Sequence, residues 1–242
     1  MTCCCELPEC SGTRESSLGR EARAFTARNL RHFVTALVCI AWSGSLALGG
    51  IALASPGLDS LRYFFDEIET FEAKFGQEVL DESLDSVDGG KGRVWIKRPG
   101  LFRWDYDPPD AQEIVGDGER VWIYDIELEQ VTVRNQSETL GRTPAILLAG
   151  SEDTERNYTI IDIGTQGRYD WVNLIPLDED SSFTEVRIGF EDNRLRLMEL
   201  IDTLGQRTRM SFVDLKENEP IEDRVFQFLP PEGVDIIDDS VD

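Results

Sequence analysis

Beyond residue 54 this chain has neither cysteine nor histidine: Cys3, Cys4, Cys5, Cys10, Cys39 and the single histidine, His32, all precede it. For residues 55–242 that absence excludes disulfides, zinc sites of the His/Cys type, and both the Ser-His-Asp and the Cys-His nucleophile arrangements. Positive charge is scarce too. The 242 residues hold 24 Lys and Arg against 47 Asp and Glu, and residues 55–242 alone hold 19 against 43, a formal net charge of −24. Such a surface repels phosphate, so nucleic acid is excluded as a partner. The simplest account of the acid excess is a heavily hydrated surface suited to salty surroundings. A low-complexity linker and an internal repeat are also missing, so residues 55–242 read as one domain.

A long apolar run occurs at Phe33–Ala54, behind Arg20, Arg23, Arg28 and Arg31. A positive flank, an apolar centre, the glycines Gly49 and Gly50, and a small-x-small site at Ala52-Leu53-Ala54 make a secretory signal, with the mature start predicted at Ser55. The alternative is an uncleaved anchor, because the run is nearly long enough to span a bilayer. Either way, Arg28 and Arg31 stay inside and residues 55–242 are exported. Val38 before Cys39 does not suit lipid attachment. A soluble exported protein with a 1–54 N-terminal extension and signal is therefore expected.

The stretch Gly92–Tyr106 has the clearest pattern. Val94 and Ile96 share one face with period two, and Phe102, Trp104 and Tyr106 share a face of the next strand. Pro99-Gly100 supplies the turn between them. Arg98 is the odd residue: it is either a surface charge at a strand end or a polar group aimed at an apolar interior, and composition favours the surface. Upstream, Asp59 and Ser60 cap a helix with Leu61, Phe64, Phe65 and Ile68 at helical spacing, and Phe71–Gln77 alternates as a strand. The acidic segment Asp81–Gly90 reads as a loop.

Downstream, Glu113–Val115, Val121–Tyr124 and Gln130–Arg134 form a meander around the Gly116-Asp117-Gly118 turn. The period breaks at Thr139–Gly150, where Thr143-Pro144 starts a short apolar helix, Ala145–Ala149. Strand patterns resume at Tyr158–Ile163, Tyr169–Ile175, Phe183–Phe190, Arg194–Ile201 and Arg207–Asp214. The tail from Arg224 adds a last strand stopped by Pro230-Pro231. Ten or eleven antiparallel strands with one apolar face, and a few short apolar helices, imply a curved sheet plugged by helices around an apolar interior.

Other motifs are weaker. With 43 acids beyond residue 54, close carboxylate pairs arise by chance, so a glycosidase-type hydrolase is disfavoured. Asp85–Gly90 lacks the ligand alternation of a calcium loop, and Gly89–Gly92 lacks the Ser or Thr of a phosphate loop. No metal, no cofactor and no catalysis are expected. The aromatic set Trp95, Phe102, Trp104, Tyr106, Trp122 and Tyr124 fits simple core packing as well as a cavity lining.

These residues, taken in order, resemble the periplasmic outer-membrane lipoprotein carrier proteins (LolA). The resemblance runs from the first helix into Ile68–Gln77, and through Gly92–Trp104 with its Lys97-Arg98-Pro99 corner. It continues through Asp117-Gly118 with Val121–Tyr124, the Thr143–Ala149 helix and the Phe226–Val234 tail. It implies a mainly β fold, an incomplete, unclosed antiparallel β barrel of about 11 strands, with a lid of short α-helices over an apolar cavity for acyl chains. It implies cargo of acylated lipoproteins, received from an ATP-driven inner-membrane releasing complex and passed to an outer-membrane receptor by a monomeric carrier. Arg98 matches the arginine that latches the lid through backbone hydrogen bonds, and Phe102 an aromatic linked to cargo acceptance. Phe65, Ile68, Phe75, Trp95, Trp104, Trp122, Ile146, Leu147 and Leu148 are expected in the cavity lining or lid. The alternative is a lipid-sensing or lipoprotein-receptor module on the same half-barrel. The long leader and strong acidity are departures that bear on docking to partners.

Overall fold

The computed structural model describes residues 55–137, 144–150 and 154–240. The signal-peptide expectation for residues 1–54, and the part of the helix start at Thr139–Thr143, lie outside them. Among the described residues no helix is long and apolar enough to cross a membrane.

The chain opens with α1 (Pro56–Asp66), followed by β1 (Thr70–Leu80), β2 (Ser86–Lys97), β3 (Leu101–Tyr106), β4 (Gln112–Asp117), β5 (Arg120–Asp125) and β6 (Gln130–Asn135). Two short helices, α2 (Pro144–Ala149) and α3 (Thr154–Asn157), precede β7 (Tyr158–Gln166), β8 (Tyr169–Pro176), β9 (Phe183–Glu191), β10 (Arg194–Asp202) and β11 (Arg207–Glu217). A 3-10 turn at Asp223–Phe226 leads to β12 (Asp235–Asp238). The twelve strands of the described residues join one sheet in the order β12-β6-β5-β4-β3-β2-β1-β11-β10-β9-β8-β7. The pairings are antiparallel except that of β12 with β6, which is parallel, and the two end strands do not meet. The sheet is an unclosed half-barrel, as the alternating strands imply.

The central strands β1 to β3 bury alternate residues over much of their length. Phe71, Ala73 and Phe75 of β1 lie beside Ile96, Val94 and Gly92 of β2, which lie beside Phe102, Trp104 and Tyr106 of β3. Directly opposed residues share a face, so this register places them all on the concave side. β4 and β5 extend that side with Ile114, Val121 and Ile123, and β8 to β11 with Val172, Leu174, Ile188, Phe190, Met198 and Phe212. α1 lays Leu61 and Phe64, i and i+3 on one helical face, onto β7 to β10. α2 lays Ile146, Leu147 and Leu148 onto β2 and β3. Both helices and the sheet contribute to one apolar core.

Three local expectations are corrected. α1 starts at Pro56, a favoured first helical residue, and not at an Asp59/Ser60 cap. The loop after β1 spans only Asp81–Asp85, because Ser86–Gly90 already pairs with β1. The tail segment from Gln227 is not a strand; the final strand is β12, eight residues further on.

Candidate functional site

The turn between β2 and β3 points at the ends of both helical segments. Lys97 ends β2 and Leu101 starts β3, so the Arg98-Pro99-Gly100 corner sits at the rim of the concave face, against α2. Main-chain bonds set its position: Arg98 N–H donates to Glu69 O at 2.8 Å and Gly100 N–H to Ala149 O at 3.1 Å. Gln136, just past β6, braces the corner, donating from Nε2 to Gly100 O at 2.8 Å and accepting from Gly118 N–H at 3.2 Å.

From this corner the Arg98 side chain reaches under the helices. Nε donates to Gly150 O at 3.0 Å, Nη2 to Leu148 O at 2.8 Å, and Nη1 to Ile68 O. Its charge lies over the rings of Phe64 and Phe65, 4.6 and 5.3 Å from their centroids. No carboxylate among the described residues pairs with it. The acceptors are Leu148 O in the last turn of α2, a group that a helix end leaves unsatisfied and that favours a cation, Gly150 O just past it, and Ile68 O two residues past α1. Burial pushes the guanidinium down to about 10, which still leaves it charged at neutral pH. A planar fork with several donors bridges two helix ends in a way that a lysine ammonium does not.

Around this clamp the structure gathers most of the expected lining residues. Ile68, Phe75, Phe102, Trp104, Ile146, Leu147 and Leu148 are buried in the common core, and Phe65 packs at its edge. Phe102 sits over Gly116 of β4, where an added Cβ would lie 2.1 Å from its ring. Trp104 touches Phe75 and Phe212, with ring centroids 5.2 and 6.3 Å away. These buried side chains line the concave face, with α1 and α2 packed over it.

Trp95 and Trp122 are corrections: both lie on the convex face. Trp95 alternates with Val94 and Ile96, so the pleat turns it outward beneath Arg93. Trp122 stands opposite Val115 and Val133 and stacks on Phe228 at 5.6 Å, with Tyr124 beside it. There it docks the C-terminal tail. Phe64 was missed as a lining residue; it is 1 % exposed and is the ring nearest Arg98. Its spacing from Leu61 and Ile68, three and four residues, already put it on the inward face.

No group of three or more Asp, Glu, His or Cys residues among the described residues is placed to hold a metal. What the arrangement offers is an apolar surface beneath two helical segments, and one cation tying both to the rim.

Known proteins share this chain's pattern. The 182 residues matching the outer-membrane lipoprotein carrier protein of Nitrosospira multiformis are 44% identical and cover 75% of this chain and 88% of that one. The same-named protein of Methylobacillus flagellatus is 41% identical over 77% of this chain and 91% of its own. A solved LolA superfamily protein from Nitrosomonas europaea superposes with a TM-score of 0.43 at 13% identity, over 71% of this chain and 96% of that one. The family model of outer membrane lipoprotein carrier protein LolA matches residues 66–229, from the end of α1 to the tail beside Trp122, and this chain belongs to that family.

Proposed function

We propose that the protein is a periplasmic carrier that holds the acyl chains of lipoproteins against its concave face and delivers them to the outer membrane. The observation that carries this reading is the clamp: Arg98 joins the carbonyls of Ile68, Leu148 and Gly150, and so ties both helical segments over an apolar surface. Family membership and the relatives' names support it.

The energetics fit transfer better than storage. Each acyl CH₂ moved out of water gains about 0.8 kcal/mol, so several long chains taken from water would bind beyond any usable affinity. The competing states are instead the membrane and the neighbouring transporters, an inner-membrane ATP-driven releasing complex on one side and an outer-membrane receptor on the other. Between such states the differences are small, and the lid sets them. Phe64, Phe71, Phe102 and Leu148 are buried between helices and sheet, so cargo reaches them as the helices lift. Lifting breaks the three guanidinium bonds, each worth about 1.5–3 kcal/mol as a hydrogen bond to a charged group. Reclosing regains them. Cargo therefore shifts the carrier toward its open state, and the latch works in the direction of release.

The test is Arg98→Leu in a two-step transfer assay with purified membranes. The variant is expected to accept lipoprotein but to pass it to the receptor at least about tenfold more slowly, the equivalent of one lost hydrogen bond. Release at the native rate would sink the latch. Mass spectrometry of the protein purified from periplasm tests the carrier role itself, with co-purifying acylated lipoprotein as the expected result.

A further inference from the structure

Trp104 lies in the middle of the concave face, 2 % exposed, and its indole Nε1–H has no acceptor among the described residues. An indole nitrogen only donates, and burying it unpaired is unfavourable. Its neighbours are apolar: Phe75 and Phe212 by ring contact, Val94 and Ile114 across the strand pairs. None of these side chains offers a second partner to a bridging water, and a buried water needs two or more. The donor thus waits for an acceptor that arrives attached to apolar material.

The strand indicates where along such a molecule the acceptor lies. Phe102, Trp104 and Tyr106 follow one another on the inner face of β3, about 7 Å apart. At the Phe102 end, α2 covers the strand and Arg98 holds it. At the Tyr106 end opens a cavity of about 470 Å³ lined by Gln77, Lys91 and the carboxylates of Asp88, Asp107 and Asp125. Tyr106 belongs to both regions: its ring packs on Phe75 at 4.9 Å and its hydroxyl donates to Gln77 Oε1 at 2.9 Å. A lipid-modified chain with its tails under the lid and its polar part at this mouth would put the linkages between them level with Trp104.

We propose that Trp104 Nε1–H is the polar anchor of the cargo site, donating to the carbonyl oxygen of an ester or amide that joins an acyl chain to the cargo. The inference rests on the carrier reading and adds a selectivity to it. Acyl chains bring the carbonyl; alkyl ethers of equal length bury the same apolar area and leave the indole unpaired.

The experiment compares two probes on the native protein: a lipopeptide with two ester-linked palmitoyl chains, and its counterpart with two ether-linked hexadecyl chains. Displacement of a fluorescent fatty probe is expected to give about tenfold tighter binding for the ester, the effect of one buried hydrogen bond. In ¹⁵N-labelled protein the Trp104 Nε1–H resonance moves on adding the ester and not the ether. Trp104→Phe, which keeps an aromatic ring, binds both alike. Equal binding of the two probes to native protein overturns the anchor and leaves the carrier reading standing; binding of neither overturns both. Discrimination that persists in folded Trp104→Phe also overturns the anchor. If that variant does not fold, the native comparison and the resonance decide.

Discussion

Arg98 and Tyr106 are both half of an argument about water. Burial pushes the guanidinium of Arg98 down to about 10 and the phenol of Tyr106 up to about 12, each toward its neutral form. Their consequences at high pH oppose each other. Tyr106 titrates near 10 when unfolded, so the fold favours its protonated form; that stability is whole below pH 10 and is lost as pH rises through 12. Arg98 loses its proton sooner folded than unfolded, so its contribution rises with pH above 10. The two are separated by Tyr106→Phe. Between pH 10 and 12 the native protein should lose up to about 2–3 kcal/mol relative to this variant, read from urea midpoints at each pH. Parallel curves would show that the phenol is not held in its neutral form. Neither shift is visible in a sequence, where Arg98 stands beside a proline with surface and interior both open to it.

The β2–β3 hairpin shows what strand patterns reveal and what they hide. Its register was legible because the apolar residues alternate on both sides of Pro99-Gly100, and the same parity assigns Trp95 to the outside, against the pull of its aromatic character. Glycine misled in the other direction. Gly89 and Gly90 read as loop residues, yet they belong to β2, where backbones come close. A Cβ on Gly92 would lie 1.9 Å from the Asp105 carbonyl oxygen, which the ladder holds in place. Gly92→Ala is thus expected to cost about 3 kcal/mol or more, and Gly116→Ala about 1–3, because there only the Phe102 ring must move. Equilibrium denaturation of the two variants checks the order; a near-neutral Gly92→Ala would mean that the strands do not meet in this register. The tail deceived through its alternation of Val225, Gln227 and Leu229 with Phe226 and Phe228. Its aromatics dock by side chain, Phe226 buried and Phe228 on Trp122, and Pro230-Pro231 supplies no amide for a ladder. Trp122 is in the same position: the sequence holds its parity but not the partner that covers it.

At the scale of the molecule, the half-barrel was legible because the ten or eleven one-faced strands expected, one or two short of the twelve found among the described residues, need a concave core, and the few apolar helices need somewhere to sit. How the helices are held down was legible only through the family resemblance and not from the pattern of residues, since it depends on an arginine meeting carbonyls some 30 and 50 residues away in the chain. Charge acts at this scale as well. A formal −24 on residues 55–242 repels itself, and salt shortens the range of that repulsion from about 30 Å at 0.01 M to under 10 Å. Raising sodium chloride from 0.01 to 0.5 M is expected to raise the melting temperature by about 3–6 °C, measured by circular dichroism. No change would mean that the acids are spaced too widely to interact. The Arg98 contacts depend on this field less directly than an ion pair would, because their acceptors are uncharged oxygens of the main chain. Every residue supplies such an oxygen, so substitutions on the exposed faces of α1 and α2 leave all three acceptors of Arg98 in place.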